Sequence, residues 1–83
     1  MGSASRIKPE RLAQKLLTVR NRLHLSQTEM AEKLSCKKIT IRRSDVSRYE
    51  IGIREPPLLI LLHYARAGQV TMEMLVDDGI DLS

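Results

Sequence analysis

The chain has 83 residues, 42% of them apolar, a length that suits one compact domain and leaves no room for a second. Its only aromatic residues are Tyr49 and Tyr64, so the core has to be aliphatic and built mainly from twelve leucines. The net charge of +4 is lopsided: residues 1–66 hold all 14 Lys and Arg against six acids (net +8), while residues 67–83 hold four acids and no base, which points to a polyanionic partner for the body of the chain.

Residues 1–8 read as a flexible N-terminal arm, small and polar at its start. A first helix is expected from about Pro9, which suits a first helical turn, to Asn21. Leu12, Leu16, Val19 and Leu23 form its apolar stripe. The second helix has the clearest start. Ser26-Gln27-Thr28-Glu29 is a capping box, and Leu25 and Met30 stand at the positions of a hydrophobic staple. Met30, Ala31 and Leu34 continue its buried face.

Ser35–Arg43 reads as a basic loop, with a hint of extended chain in the alternation from Lys37 to Arg43. A third helix is expected over about Ser44–Ile51. Ser44 is its N-cap, Asp45 favours its first turn through the helix dipole, and Gly52 is its stop. Val46, Tyr49 and Ile53 are its inward candidates. A fourth helix, about Pro57–Ala67, carries Leu58, Leu61, Leu62 and Ala65 as its main stripe and ends at Gly68. Thr71 caps a short fifth helix, about Met72–Asp77, and an acidic tail over 77–83 is expected to be solvated. The expected domain spans 9–76. Five short helices on short loops make an all-α domain.

Leu25-Ser26-Gln27, Met30-Ala31-Glu32-Lys33-Leu34, Val46-Ser47-Arg48-Tyr49-Glu50 and Gly52-Ile53-Arg54-Glu55-Pro56 together resemble the phage-repressor (Cro/Xre-type) helix-turn-helix family. The resemblance runs on through Leu61, Ala65, Gly68, Val70 and Leu75. It implies a five-helix lambda-repressor-like DNA-binding domain whose third helix enters the major groove. The base-contact candidates are then Arg42, Arg43, Ser44, Ser47 and Arg48, where an arginine fork can donate twice to guanine. Gln27, at the start of the second helix, holds a position that contacts phosphate or outer bases in the similar family. Lys33, Lys37, Lys38 and Arg54 are further backbone-contact candidates. The resemblance also implies an ion pair between Arg20 and Glu50, tying the third helix to the first. The sequence departs from the family in the extended loop between the two motif helices, where a turn of about 3–4 residues is usual. The expectation is that this loop projects toward the DNA backbone.

Other chemistry finds little support. The longest apolar run, Leu58–Leu62, is far short of the roughly 20 residues of a membrane span, and no signal-peptide pattern opens the chain. The single Cys36 excludes an internal disulfide and a cysteine-rich zinc site, which suits a cytoplasmic protein. His24 and His63 have no ligand spacing, no histidine is placed to activate a serine, and no cofactor is implied. The expected partners are double-stranded DNA and a second copy of the chain, joined through Ile60, Tyr64, Met72 and Val76 on and beyond a wide apolar arc of the fourth helix. The leading reading is a small repressor-like transcription regulator, not an enzyme. The competing readings are an antitoxin with a protein partner and a protein-interaction module on the same scaffold.

Overall fold

The computed structural model describes residues 8–82, so the expectation of a flexible arm falls, but for Lys8, outside the described residues. Five α-helices follow one another: α1 Leu12–Arg22, α2 Gln27–Leu34, α3 Arg43–Ile51, α4 Leu58–Gly68 and α5 Met72–Val76. No strand occurs among the described residues. Leu16, Val19, Met30, Leu34, Val46, Ile60, Tyr64 and Leu75 are the most deeply buried, so every helix contributes to one core.

The second helix starts as its sequence dictates. Ser26 Oγ accepts from the Glu29 N–H at 3.0 Å, and Glu29 Oε1 accepts from the Ser26 N–H at 2.8 Å. These bonds hold the Glu29 carboxyl below its ordinary range. Thr71 Oγ1 likewise accepts from the Met74 N–H and opens α5.

The start of α1 is later than Pro9, and its cap comes from the far end of the chain. Asp78 accepts from the Glu10 and Arg11 N–H groups at 2.9 and 3.0 Å, satisfying the N-cap donor of α1 and the one before it. These backbone bonds lower the Asp78 pKa. The segment after α5 is therefore docked, and the expectation of a solvated tail is corrected. Lys15, a buried cation, donates to the carbonyls of Met74, Asp77 and Ile80 at 2.7–2.8 Å. Arg11 pairs with Asp81, and Leu82 packs against the core. Burial of an ammonium is tolerated because three carbonyl oxygens replace its water.

The fourth helix is turned relative to its expected stripe. Ile60, Leu61, Tyr64 and Ala65 face the core, whereas Leu58 is 75% exposed. Leu58 is the first residue of the helix. Gly68 lies within α4 and Gln69 takes the left-handed conformation, so Gly68 is not the stop. Its value is close approach: a Cβ there would meet Val19 Cγ1 at 2.9 Å.

The inserted loop, 35–42, is anchored at three points. Ser35 Oγ donates to the Ala31 carbonyl and accepts from the Ile41 N–H at 2.8 Å. Ile41 is buried, and Ile39 packs partly against the core. Reciprocal bonds between Cys36 and Ile39 close a turn with Lys37 and Lys38 exposed at its tip.

Two outcomes test this packing. Gly68→Ala gains at most about 1 kcal/mol in helix propensity but overpacks a buried β-branched side chain, at about 1–3 kcal/mol. Net destabilisation is expected in thermal melts, and its combination with Val19→Ala should be less than additive. Asp78→Ala should lower the melting temperature at neutral pH. Because folding lowers the Asp78 pKa, its contribution is present above the ordinary aspartate range and lost as pH falls through the shifted one. The wild-type and variant melting curves should therefore converge in acid.

Candidate nucleic-acid interface

The outer face of α3 is bare because the helix buries only Val46 and Tyr49. Tyr49 meets Tyr64 edge-on, with ring centroids 6.5 Å apart at 73°, a contact from α3 to α4, while α3 packs mainly on α2 and α1. Desolvation raises the pKa of both phenols, so both stay neutral. Ile53, expected to point inward, is 67% exposed, because the chain leaves the helix at Gly52 in a left-handed conformation (φ +83°).

The N-terminus of α3 lies one residue earlier than expected. Arg43 is its first residue, Arg42 takes the N-cap position, and Ser44 is inside the first turn. Asp45 Oδ2 accepts from the Arg42 N–H at 2.9 Å and supplies the cap. Arg43 thereby belongs to the helix, and Arg42 is its N-cap at the end of the loop. Arg42, Arg43, Ser44 and Arg48 are exposed and Ser47 is half-buried.

A chain of polar contacts runs from α1 to this surface. Arg20 Nε donates to Glu50 Oε2 at 2.5 Å and Arg20 Nη2 to Glu50 Oε1 at 3.0 Å, a two-pronged pair. Arg20 Nη1 also donates to the Leu25 carbonyl. The Glu50 side chain is only 4% exposed. Its hydrogen bonds raise the Arg20 pKa and keep the guanidinium charged. Gln27 Nε2 donates to Glu50 Oε1 at 3.0 Å, which turns the amide oxygen of Gln27 toward Arg43 Nη1, 3.4 Å away. The start of α2 and the start of α3 are thus joined through one glutamine. On the other side, Asp45 Oδ1 lies 3.8 Å from Arg48 Nη1 and 3.5 Å from Arg54 Nη1, which brings the loop after α3 to the same surface.

Of the residues expected to act on a backbone, Gln27 and Arg54 join this cluster. Lys33 does not: it lines a separate groove with His63, Arg66 and Ala67. The His63 ring bonds the Leu34 carbonyl through Nδ1. Two residues expected in an interface between copies are ruled out by burial. Ile60 and Tyr64 have no exposed surface, because they face the core and not the open side of α4. Val76 remains exposed and Met72 is half-buried. Sequence reasoning missed Asp45 as a partner of Arg48 and Arg54. The i, i+3 spacing to Arg48 was a legible signal; the contact with Arg54 depends on the turn at Gly52. Among the described residues, no cluster of His, Cys, Asp and Glu forms a metal site, and no helix is long and apolar enough to cross a membrane.

Glu50→Ala leaves the half-buried Arg20 guanidinium without its counter-charge and with the Leu25 carbonyl still accepting, and a loss of about 3 kcal/mol, the lower end for breaking a buried pair, is expected in denaturant unfolding. Replacing Arg20 and Glu50 together by apolar residues of similar volume should cost less than Glu50→Ala alone.

Comparison with known proteins matches this architecture to a family. A helix-turn-helix family model matches residues 16–75. A search of curated protein sequences finds no match. Among solved structures, the P22 c2 repressor protein in complex with a synthetic operator is similar at a TM-score of 0.69 and 18% identity, over 81% of this chain and 94% of that one. At that identity the likeness is one of fold: the all-helical, lambda-repressor-like arrangement. The matched segment takes in α2, the loop, α3 and α4, and the chain belongs to the helix-turn-helix family.

Proposed function

We propose that the protein is a sequence-specific double-stranded DNA-binding regulator of the repressor type, which places α3 in the major groove. One observation carries the reading. The outer face of α3 and its N-cap present Arg42, Arg43, Ser44 and Arg48 to solvent, with Ser47 half-buried among them, on a helix whose inner face is fixed. Such a helix end reaches base edges, and its arginines offer planar donor pairs for guanine. Membership of the helix-turn-helix family and a fold shared with a repressor solved on its operator support the assignment.

Gln27 and Arg54 flank α3 and are assigned to phosphates. The Lys37–Lys38 tip is assigned to the backbone beyond them, where it adds affinity without reading sequence. Lys33, on another groove, drops out of this set. Two copies are expected to occupy two half-sites, a common solution for a small module. Their contact is assigned to the exposed Leu58, Leu59 and Val76 with Met72, in place of the buried Ile60 and Tyr64. Occupancy of an operator requires no catalytic step and no cofactor.

Selection from a randomised duplex pool, followed by anisotropy titration of the winner, tests this reading. Arg48→Ala should cost about 1–3 kcal/mol of discrimination at one base position. Lys37→Ala with Lys38→Ala should weaken all duplexes alike and flatten the log K against log salt slope by roughly one for each phosphate no longer neutralised. Failure of the pool to yield any duplex bound better than random DNA refutes the proposal.

A further inference from the structure

We infer that Asp45 is a specificity-determining residue, an internal stand-in for a phosphate that competes with the DNA backbone for Arg48 and Arg54. The inference rests on the DNA-binding reading and concerns the same surface.

A carboxylate on a face meant for a polyanion is out of place by charge alone. Its contacts explain it. Oδ2 is committed to the Arg42 N–H at 2.9 Å, which fixes the carboxylate at the start of α3. Oδ1 is left facing Arg48 Nη1 at 3.8 Å and Arg54 Nη1 at 3.5 Å. Two guanidinium groups converging on one anionic oxygen reproduce what a phosphate offers them. The anchoring is unequal: Asp45 is 19% exposed, whereas the Arg48 and Arg54 side chains are 48% and 58% exposed. The acid is held in place, and the arginines sit in loose, solvent-screened pairs that a duplex can displace.

The consequence differs between right and wrong DNA. On arbitrary sequence both arginines turn to phosphates, and Asp45 is left facing a polyanion with no cation beside it. On a matching site Arg48 keeps Nη1 against Asp45 while its Nε–Nη2 edge supplies the two parallel donors that a guanine accepts. The penalty falls mainly on non-specific binding. It is a repulsive element built against the wrong partner, working together with the attractive base contact.

The test compares wild type with Asp45→Asn, which keeps a carbonyl oxygen for the Arg42 N–H and loses only the charge. Asp45→Ser, which also keeps an acceptor, is measured in parallel. Each is titrated against a labelled random-sequence duplex and against the best duplex recovered from a randomised pool. The variants should bind the random duplex about three- to tenfold more tightly at moderate salt, with a steeper salt slope, and the best duplex less than about twofold more tightly. The gain should shrink by more than half in an Arg48→Ala/Arg54→Ala background. Unchanged or weaker random-duplex binding by a variant that melts with wild type overturns the inference. So does an equal gain in the double-alanine background, since it would mark a plain charge effect. Loss of cooperative melting in both variants also overturns it, by making Asp45 a folding residue. Wild-type protein that binds no duplex overturns the DNA-binding reading itself, whereas wild-type binding with indifferent variants overturns only the role of Asp45.

Discussion

The helix proposed to read DNA has to be rigid and bare together, and the pairing of Arg20 with Glu50 reconciles the two demands here. Hydrophobic burial anchors α3 through two side chains, Val46 and Tyr49, and every further apolar anchor would consume its outer face. Glu50 lies in the last turn of α3, close to the core, and takes three hydrogen bonds from α1 and the start of α2. A helix pinned by a directional pair at one end and a Tyr–Tyr contact along its inner face has little freedom to roll. Orientation is thereby fixed without using any outer side chain. Gln27 extends the same restraint to the surface, since its amide is oriented by a nearly buried carboxylate and in turn faces Arg43.

The inserted loop meets a related constraint. A long connection between two motif helices would normally loosen their mutual angle. Here Ser35 bonds both ends of the insertion, and Ile39 and Ile41 pack against the core, so the extra length is consumed in anchoring. What protrudes is only the Lys37–Lys38 tip. The entropy of a mobile loop is avoided, and two cations are held clear of the fold near the helix they precede.

Where information was local, the fold could be read from the residues. The Ser26–Glu29 capping box, the Leu12–Leu16–Val19 stripe and the Thr71 cap each involve neighbours a few positions apart, and each appears as expected. The Arg20–Glu50 pair was reached only through family resemblance, since nothing local links residues 30 apart. What escaped reading depends on residues brought together by the finished chain. Lys15 looks like a surface lysine until Met74, Asp77 and Ile80 offer it carbonyls. Asp78 looks like part of an acidic tail until it caps α1. On α4 nearly every position is apolar, so periodicity could not tell the Ile60–Tyr64 face from the Leu58 face; only packing against the other helices decides. At the site the residue types are legible, and Asp45 shows in sequence as a helix-start residue; its contact with Arg54 depends on where Gly52 sends the chain.

Charge segregation acquires a different meaning once the contacts are known. The acids after residue 66 do more than sit apart from the bases. Asp81 pairs with Arg11, and the backbone after α5 absorbs Lys15, so cations of α1 are satisfied internally. Among the described residues, Lys37, Lys38 and the Arg42 side chain form no ion pair, and those of Arg48 and Arg54 are long and exposed. Neutralisation at one end thus concentrates uncompensated positive potential around α3 without changing the net charge. For a chain of this size, a basic surface obtained by placement keeps down the repulsion between like charges that a higher total charge would spread across the whole domain.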